Sequence, residues 1–338
     1  MTGQRERFLD VLRAAALARV IVYHMFGLAW LSFAFPAMGV MFAVGGSLVA
    51  RSLDNAPAGT VIGNRLRRLL PAYWLFGIVV LAAMLIEGEL DHPGPVWWLT
   101  WLVPFADPPG SEWVAPATEV LWYLVTYLWL VVLSPLALWA YRRWPVRTAL
   151  VPLAVLGVAE LVSFDGVLTN VATFGACWVA GFAHRDGALR RMSTGLLVLL
   201  AGVCLGLGTG WAVSHSTPDL NEIPVGQALY SLGFVLLVMR LPVTLDWLRR
   251  RPALDWCLRT VNARAVTIYL WHNPAIAVCF AVGDALQVWR FGELGYFAVA
   301  VAMLVAAVRL VGWVENVWYI GPRATPLGFS PAPVPGHP

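Results

Sequence analysis

The chain has 338 residues, of which 59% are hydrophobic and only 12% are charged. Soluble globular proteins carry about 25% charged residues, so this small share cannot cover the surface of water-soluble domains. The apolar fraction also excludes disordered, collagen-like and disulfide-framework proteins, and the four cysteines lack metal-binding spacing. With a mean hydropathy of +0.71, the composition predicts an all-helical, multi-pass membrane protein.

Ten apolar segments are predicted to cross the membrane as helices. They are residues 14–35, 36–53, 71–86, 119–141, 148–162, 168–183, 193–213, 224–241, 265–283 and 295–313. The first is too long for the apolar part of a signal peptide and no cleavage site follows it, so we expect it to be retained. Residues 1–315 are predicted to form one transmembrane domain, and residues 316–338 a proline-rich, disordered cytoplasmic tail.

The charged residues sort between the two sides of this arrangement. Arginines recur in the loops of one side, which the positive-inside rule assigns to the cytoplasm, and carboxylates concentrate in the loops of the other. Both termini are therefore predicted to be cytoplasmic, in a multi-pass protein of the plasma membrane. The same rule accounts for the net charge of +4, so no nucleic acid partner is expected.

The first predicted span contains ionisable residues, which are unfavourable in lipid and therefore indicate a functional site. Arg13 and His24 lie on one helix face about 16 Å apart along the axis, which puts His24 near the bilayer midplane. This suits an anionic ligand whose reactive end reaches His24, although a snorkelling arginine and a hydrogen-bonded histidine fit the spacing equally. Arg19 lies between them and requires a polar or charged partner. This partner is either a side chain in a structural ion pair or a group on the substrate.

His272 is a second histidine within a predicted span, and Pro274 follows it closely. A proline leaves a backbone carbonyl unpaired one turn earlier, which membrane helices tolerate where a neighbouring helix or a cavity compensates. A lone histidine in a helix is usually structural. Two at comparable depth, with a proline beside one of them, favour a functional role.

An arginine-rich segment precedes the third predicted span. Arg65 and Arg68 lie just before Pro71, and proline is frequent at the first position of a helix. We therefore expect the helix to start at Pro71, with the arginines at its N-terminus, where backbone N–H groups also favour anions. The positive-inside rule alone would also explain arginines at this position.

An acidic and aromatic helix face is predicted near the outer end of the fourth span. Glu119, Trp122 and Tyr123 are spaced to share one side of a helix. This combination is typical of a surface on which sugars stack, although an interfacial aromatic belt uses the same residue types. Glu160 and Asp165, near the end of the next span, are candidates to join this surface.

Four motifs in order resemble the acyltransferase 3 family of integral membrane acyltransferases, over roughly residues 7–315. They are Leu9-Asp10-Val11-Leu12-Arg13 followed by His24, Arg65 and Arg68 with Pro71 and Tyr73-Trp74, Leu121-Trp122-Tyr123-Leu124, and Tyr269-Leu270-Trp271-His272. Ala14 departs from the glycine that often follows the arginine in this family. The departure is conservative and leaves the resemblance standing.

The resemblance implies transfer of an acyl group, often acetyl, from acyl-CoA in the cytoplasm to a hydroxyl of a carbohydrate, glycan, glycolipid or natural product. His24 would be the general base, paired with Arg13, and His272 would orient the acceptor or steady the thioester oxygen. Neutral imidazole suits the base, and arginine suits the CoA phosphates, so we assign Arg65, Arg68 and Arg19 to the donor. Glu119, Trp122 and Tyr123 are assigned to the acceptor; no metal and no bound cofactor are expected.

A proton-coupled secondary transporter is the main alternative, because ten helices with buried ionisable residues could also carry a small polar substrate. The lack of a visible inverted repeat and of several midplane carboxylates counts against it. A membrane scaffold is a further alternative, which the buried charges disfavour.

Overall fold

The computed structural model describes residues 2–88, 94–241 and 245–318, and all regular structure in these residues is helical. The first eight helices are α1 (Thr2–Phe26), α2 (Leu31–Ala34), α3 (Ala37–Leu53), α4 (Ala58–Glu87), α5 (Pro95–Leu102), α6 (Ala115–Thr118), α7 (Leu121–Arg143) and α8 (Pro145–Leu161). The others are α9 (Val167–Arg185), α10 (Ala188–Arg191), α11 (Thr194–Ser214), α12 (Pro224–Val238), α13 (Asp246–Arg249), α14 (Pro252–Ala263), α15 (Ala265–Ala285) and α16 (Gly292–Val311). From residue 319 onward, the predicted tail lies outside the described residues.

Seven helical segments in the described part of the chain are long and apolar enough to cross a membrane, which supports a multi-pass membrane protein. They contain α3, α4, α7, α9, α11, α15 and α16. Helices α1, α8 and α12 match three more predicted spans in position but are not among the seven. The total of ten spans and the cytoplasmic termini therefore stay predictions.

The first helix differs from its predicted extent of residues 14–35. Helix α1 ends at Phe26, and Gly27 follows it with a φ of 61°. This left-handed conformation is the one in which glycine commonly ends a helix. His24 consequently lies in the last turn of α1 and not in the middle of a helix, and its depth near the bilayer midplane stays a prediction.

The predicted start of the third span at Pro71 is also wrong. Helix α4 begins at Ala58 and continues through Pro71. An internal proline removes one backbone hydrogen bond, which membrane helices tolerate where neighbouring groups compensate. Arg65 and Arg68 therefore lie inside the helix, one turn apart on the same face, and not at its N-terminus.

Helices α3 and α9 form the centre of the bundle, and their backbones approach closely at glycines. A Cβ atom on Gly46 would lie 2.2 Å from the carbonyl oxygen of Trp178, and one on Gly181 would lie 2.1 Å from that of Ala43. Small residues allow such close contact between membrane helices, where van der Waals packing drives association. This contact fixes α3, which contributes to the walls of both cavities in the candidate site.

The Gly46→Ala substitution is expected to destabilise the fold by about 2 to 3 kcal/mol, because the added methyl group meets backbone that cannot move aside. Thermal unfolding of the purified protein in detergent measures this effect. Gly63→Ala is the matched control, since a Cβ atom there meets nothing within 4 Å. In helix α4, alanine should stabilise by about 1 kcal/mol relative to glycine. Equal melting temperatures for the two variants would contradict the proposed close packing.

An ion-pair network joins three helix ends on the side of the bundle that contains the N-terminal half of α1. Arg142 donates to Asp54 at 2.7 Å and to Asp186 at 2.9 Å, and Arg185 donates to Asp54 at 2.9 Å. Burial opposes ionisation of Asp54, but the two arginines outweigh it and hold the pKa of that carboxyl below its ordinary value. The network ties the end of α3 to the ends of α7 and α9.

Because the folded state lowers the pKa of Asp54, its ion pairs stabilise the protein above the unfolded pKa of about 3.9 and are lost as the pH falls through the lower folded value. Asp54→Asn should therefore lower stability at pH 7 by about 1 kcal/mol, given the partial exposure of the network. Melting temperatures of both proteins, measured from pH 7 to pH 3, should converge in the acid range. A difference that widens on acidification would contradict this reading.

Candidate active site

Two cavities occupy opposite ends of the region between α1 and α15. The acidic cavity has a volume of about 600 Å³ and is lined by three carboxylates, Asp107, Glu119 and Asp165, together with Arg19 and His24. Enclosure in the cavity wall and the nearby Asp165 carboxylate raise the pKa of Asp107 above its ordinary value. The wall also includes the amide side chains of Asn170, Asn221 and Gln227 and the rings of Tyr23 and Trp122.

The second, arginine cavity is smaller, with a volume of about 90 Å³. Three guanidinium groups line it, from Arg13 on α1 and from Arg65 and Arg68 on α4. The rest of its wall is apolar or aromatic and includes Tyr123 and Tyr127 of α7. The cavity therefore concentrates positive charge in a small apolar enclosure, an arrangement suited to the anionic part of a ligand.

Tyr269 lines both cavities and separates them. Its hydroxyl donates a hydrogen bond to the carbonyl oxygen of Val120 at 2.8 Å. Its ring lies 4.7 Å from that of Tyr123, measured between centroids. These contacts fix the ring of Tyr269 between the two cavities.

Arg13 is held mainly by Asn262 of α14, which the sequence reasoning did not single out. The Nε atom of Arg13 donates to Oδ1 of Asn262 at 2.5 Å, and one terminal nitrogen lies 3.5 Å from the Asp10 carboxylate. The short segment before the predicted span at residue 265 places Asp255 and Asn262 seven residues apart, on one helix face. That periodicity is a signal from which a helix with a polar face could have been predicted.

Arg65 and Arg68 have different surroundings in the arginine cavity. Arg65 donates to the hydroxyl of Tyr127 at 3.1 Å. Arg68 donates to the carbonyl oxygen of Ala263 at 3.3 Å and lies 3.9 Å from the carboxylate of Glu315. Glu315 is fully buried and also accepts a hydrogen bond from the backbone of Thr267 at 2.8 Å, so Arg68 has a buried carboxylate as its structural partner.

The two histidines lie side by side, with ring centroids 5.2 Å apart. His24 is exposed to the acidic cavity, whereas His272 is buried behind it. Nδ1 of His272 lies 2.5 Å from the carbonyl oxygen of Tyr269. Because a carbonyl can only accept, we assign the hydrogen of the neutral ring to Nδ1, which leaves a lone pair on Nε2. Nε2 is buried and has no hydrogen-bond partner among the described residues.

Arg13 and His24 line different cavities, although they lie on the same helix. Arg13 faces the arginine cavity and His24 the acidic cavity. Arg19 also lies on the acidic cavity, apart from Arg65 and Arg68, with which it was grouped as a donor-binding residue. It donates to the carbonyl oxygen of Leu31 at 3.2 Å and stacks 4.7 Å from the ring of Tyr23, whose hydroxyl donates to Asp219.

The predicted acidic and aromatic face is divided in the same way. Glu119 and Trp122 line the acidic cavity, whereas Tyr123 lines the arginine cavity. Glu119 precedes the start of α7 at Leu121, so the helical spacing assumed for the three residues does not extend to it. Asp165 joins the acidic cavity as expected, but Glu160 is exposed and is not part of its lining.

Comparison with known protein families identifies the family of the chain. The family model described as an acyltransferase domain matches residues 6–313, nearly the whole chain. Comparisons with curated proteins and with solved structures give no significant match. The matched range contains both histidines and all four arginines discussed here. The chain therefore belongs to the acyltransferase 3 family and is a multi-pass membrane acyltransferase.

Proposed function

We propose that this protein transfers an acyl group, most simply acetyl, from acyl-CoA to a hydroxyl of a carbohydrate, glycan, glycolipid or natural product. The observation that carries the proposal is the pair of unlike cavities that meet at Tyr269, one lined by arginines and one by carboxylates and His24. Transfer between two substrates needs a binding site for the donor, a binding site for the acceptor and a point at which their reacting groups come into contact.

The donor is assigned to the arginine cavity. Arg13, Arg65 and Arg68 carry permanent charge, and guanidinium groups bind phosphates through paired hydrogen bonds. A volume of about 90 Å³ cannot enclose a nucleotide, so the phosphates would lie at the cavity mouth and only the slender pantetheine arm would enter. His24 is about 16 Å along α1 from Arg13, so this arm must carry the thioester past Tyr269.

The acceptor is assigned to the acidic cavity. A volume of about 600 Å³ is within the range of small-molecule sites. Carboxylates and amides accept and donate hydrogen bonds to hydroxyl groups, and Trp122 offers an aromatic face for a sugar ring. Because Arg19 lies in the same wall, we now assign it to the acceptor and not to the donor.

The proposed chemistry uses His24 as general base. It removes the proton from the acceptor hydroxyl as the oxygen attacks the carbonyl carbon of the thioester. The carbon–sulfur bond then breaks, and the CoA thiolate leaves and takes the proton from His24, which restores neutral imidazole. His272 would accept a hydrogen bond at Nε2 from His24, since that atom carries the lone pair and is buried beside the His24 ring.

By the positive-inside rule, we propose that the arginine end of the bundle faces the cytoplasm and that acyl-CoA enters from this side. The acidic loops would then lie on the opposite side of the plasma membrane. A proton-coupled transporter remains the alternative, favoured by the two cavities on either side of one partition. Transport would require the partition to move without any covalent change in the substrate.

The test incubates the purified protein, in lipid nanodiscs, with acetyl-CoA labelled in the acetyl group and a panel of hydroxylated acceptors. We expect label on at least one acceptor, together with release of one CoA for each acetyl group transferred. Proteoliposomes loaded with buffer measure uptake of the same acceptors in parallel. Proton-coupled uptake of an acceptor that stays unlabelled would refute acyl transfer and support the transporter.

A further inference from the structure

Asn262 lies in the last turn of α14, and both polar atoms of its buried side-chain amide form hydrogen bonds. Its Oδ1 atom accepts from Nε of Arg13 at 2.5 Å. Its Nδ2 atom donates to the carbonyl oxygens of Asp10 at 3.0 Å and Leu258 at 2.8 Å. The amide is therefore locked in one orientation between α1 and α14, with the oxygen directed at the arginine.

The backbone of the same residue reaches the second arginine. Its carbonyl oxygen lies 3.4 Å from a terminal nitrogen of Arg68 and 3.5 Å from one of Arg13. Asn262 thus joins guanidinium groups from α1 and α4, which line the arginine cavity together. Hydrogen bonds to charged groups are stronger than neutral ones, so these contacts can hold two mutually repelling cations in place.

A neutral amide has an advantage over a carboxylate at this position. It satisfies Nε of Arg13 without cancelling the positive charge, so the guanidinium can still attract an anion. Arg68 already has the buried carboxylate of Glu315 at 3.9 Å. A second buried carboxylate would neutralise the cavity further and compete with a phosphate.

We propose that Asn262 is a positioning residue that fixes Arg13 and Arg68 relative to each other, so that they converge on the phosphates of the acyl donor. This inference rests on the proposed function, because it takes the arginine cavity as the donor site. It extends that proposal to a residue outside the motifs that carry the family resemblance.

The test compares two donors, acetyl-CoA and acetyl-pantetheine, which has the same thioester and no phosphate. The ratio of their kcat/KM values measures how much the phosphate groups of CoA increase catalytic efficiency. We expect Asn262→Ala to lower this ratio about tenfold, through a higher KM for acetyl-CoA, with kcat and the acceptor KM unchanged. Asn262→Asp keeps the shape of the side chain but adds a negative charge, and should lower the ratio at least as far.

Asn170→Ala, in the acidic cavity, is the matched control and should change the acceptor KM while leaving the donor ratio as in the wild type. Equal loss of activity with both donors in the Asn262 variants would indicate a general structural role and overturn the inference, as would an unchanged ratio. Size-exclusion profiles check folding, and Asn262→Asp carries the test if the alanine variant does not fold. A wild-type protein that transfers from neither donor would instead overturn the proposed function.

Discussion

Replacing His24 by alanine is expected to reduce kcat for acyl transfer by about 10² to 10⁴, because no other imidazole is exposed to the acidic cavity among the described residues that line it. His272 lies beside it but is buried, so it cannot fully replace a base in contact with the acceptor. The measurement is the initial rate of labelled acetyl transfer at saturating concentrations of both substrates. Folding should persist, since His24 faces the cavity and not the core.

His215→Ala is the matched control for this variant. His215 is also exposed, but it follows α11 and stacks on Trp211 outside the acidic cavity. Its loss should leave the rate unchanged. Transfer at more than half of the wild-type rate by the His24→Ala protein would show that His24 is not the base and would shift that role to His272.

Replacing Arg65 by alanine is expected to raise the KM for acyl-CoA by about 10- to 100-fold, with little change in the KM for the acceptor. A charge-assisted hydrogen bond to a phosphate contributes about 1.5 to 3 kcal/mol, and each 1.4 kcal/mol is a factor of ten. Arg65 is preferred over Arg68 for this test because its described hydrogen bond is to the Tyr127 hydroxyl. Removing Arg68 would also take away one of the two arginines whose charge acts on the buried Glu315 carboxylate.

The neighbouring Arg67 provides the control, since it is exposed and lies outside the arginine cavity. Arg67→Ala should retain the wild-type KM for acyl-CoA. Arg19→Ala should change the KM for the acceptor instead, because Arg19 lies in the acidic cavity. If Arg65→Ala and Arg19→Ala both alter only the acceptor KM, the assignment of the donor to the arginine cavity is wrong.

Several features of the candidate site could be predicted because they depend on residue type and order. Ionisable residues are rare in membrane helices, so Arg13, His24 and His272 can be singled out as candidates without any contact information. Their association with the other motifs predicted the family, which the match over residues 6–313 confirms. Helix bounds near prolines and glycines were less predictable. Pro71 lies inside α4, whereas Gly27 ends α1 earlier than its apolar run suggests.

The membrane character, the helical class and the family follow from the order of the amino acids, because hydropathy and motif order are properties of the chain read along its length. Which polar residues come into contact depends on how the helices pack. Helical spacing put Arg13 and His24 on one face and grouped Glu119 with Tyr123, but contacts with other helices divide each pair between two cavities. Asn262 reaches Arg13 across 249 residues, and no local periodicity specifies a contact of that kind. Packing between helices that are distant in the sequence therefore determines which of the candidate residues line each cavity.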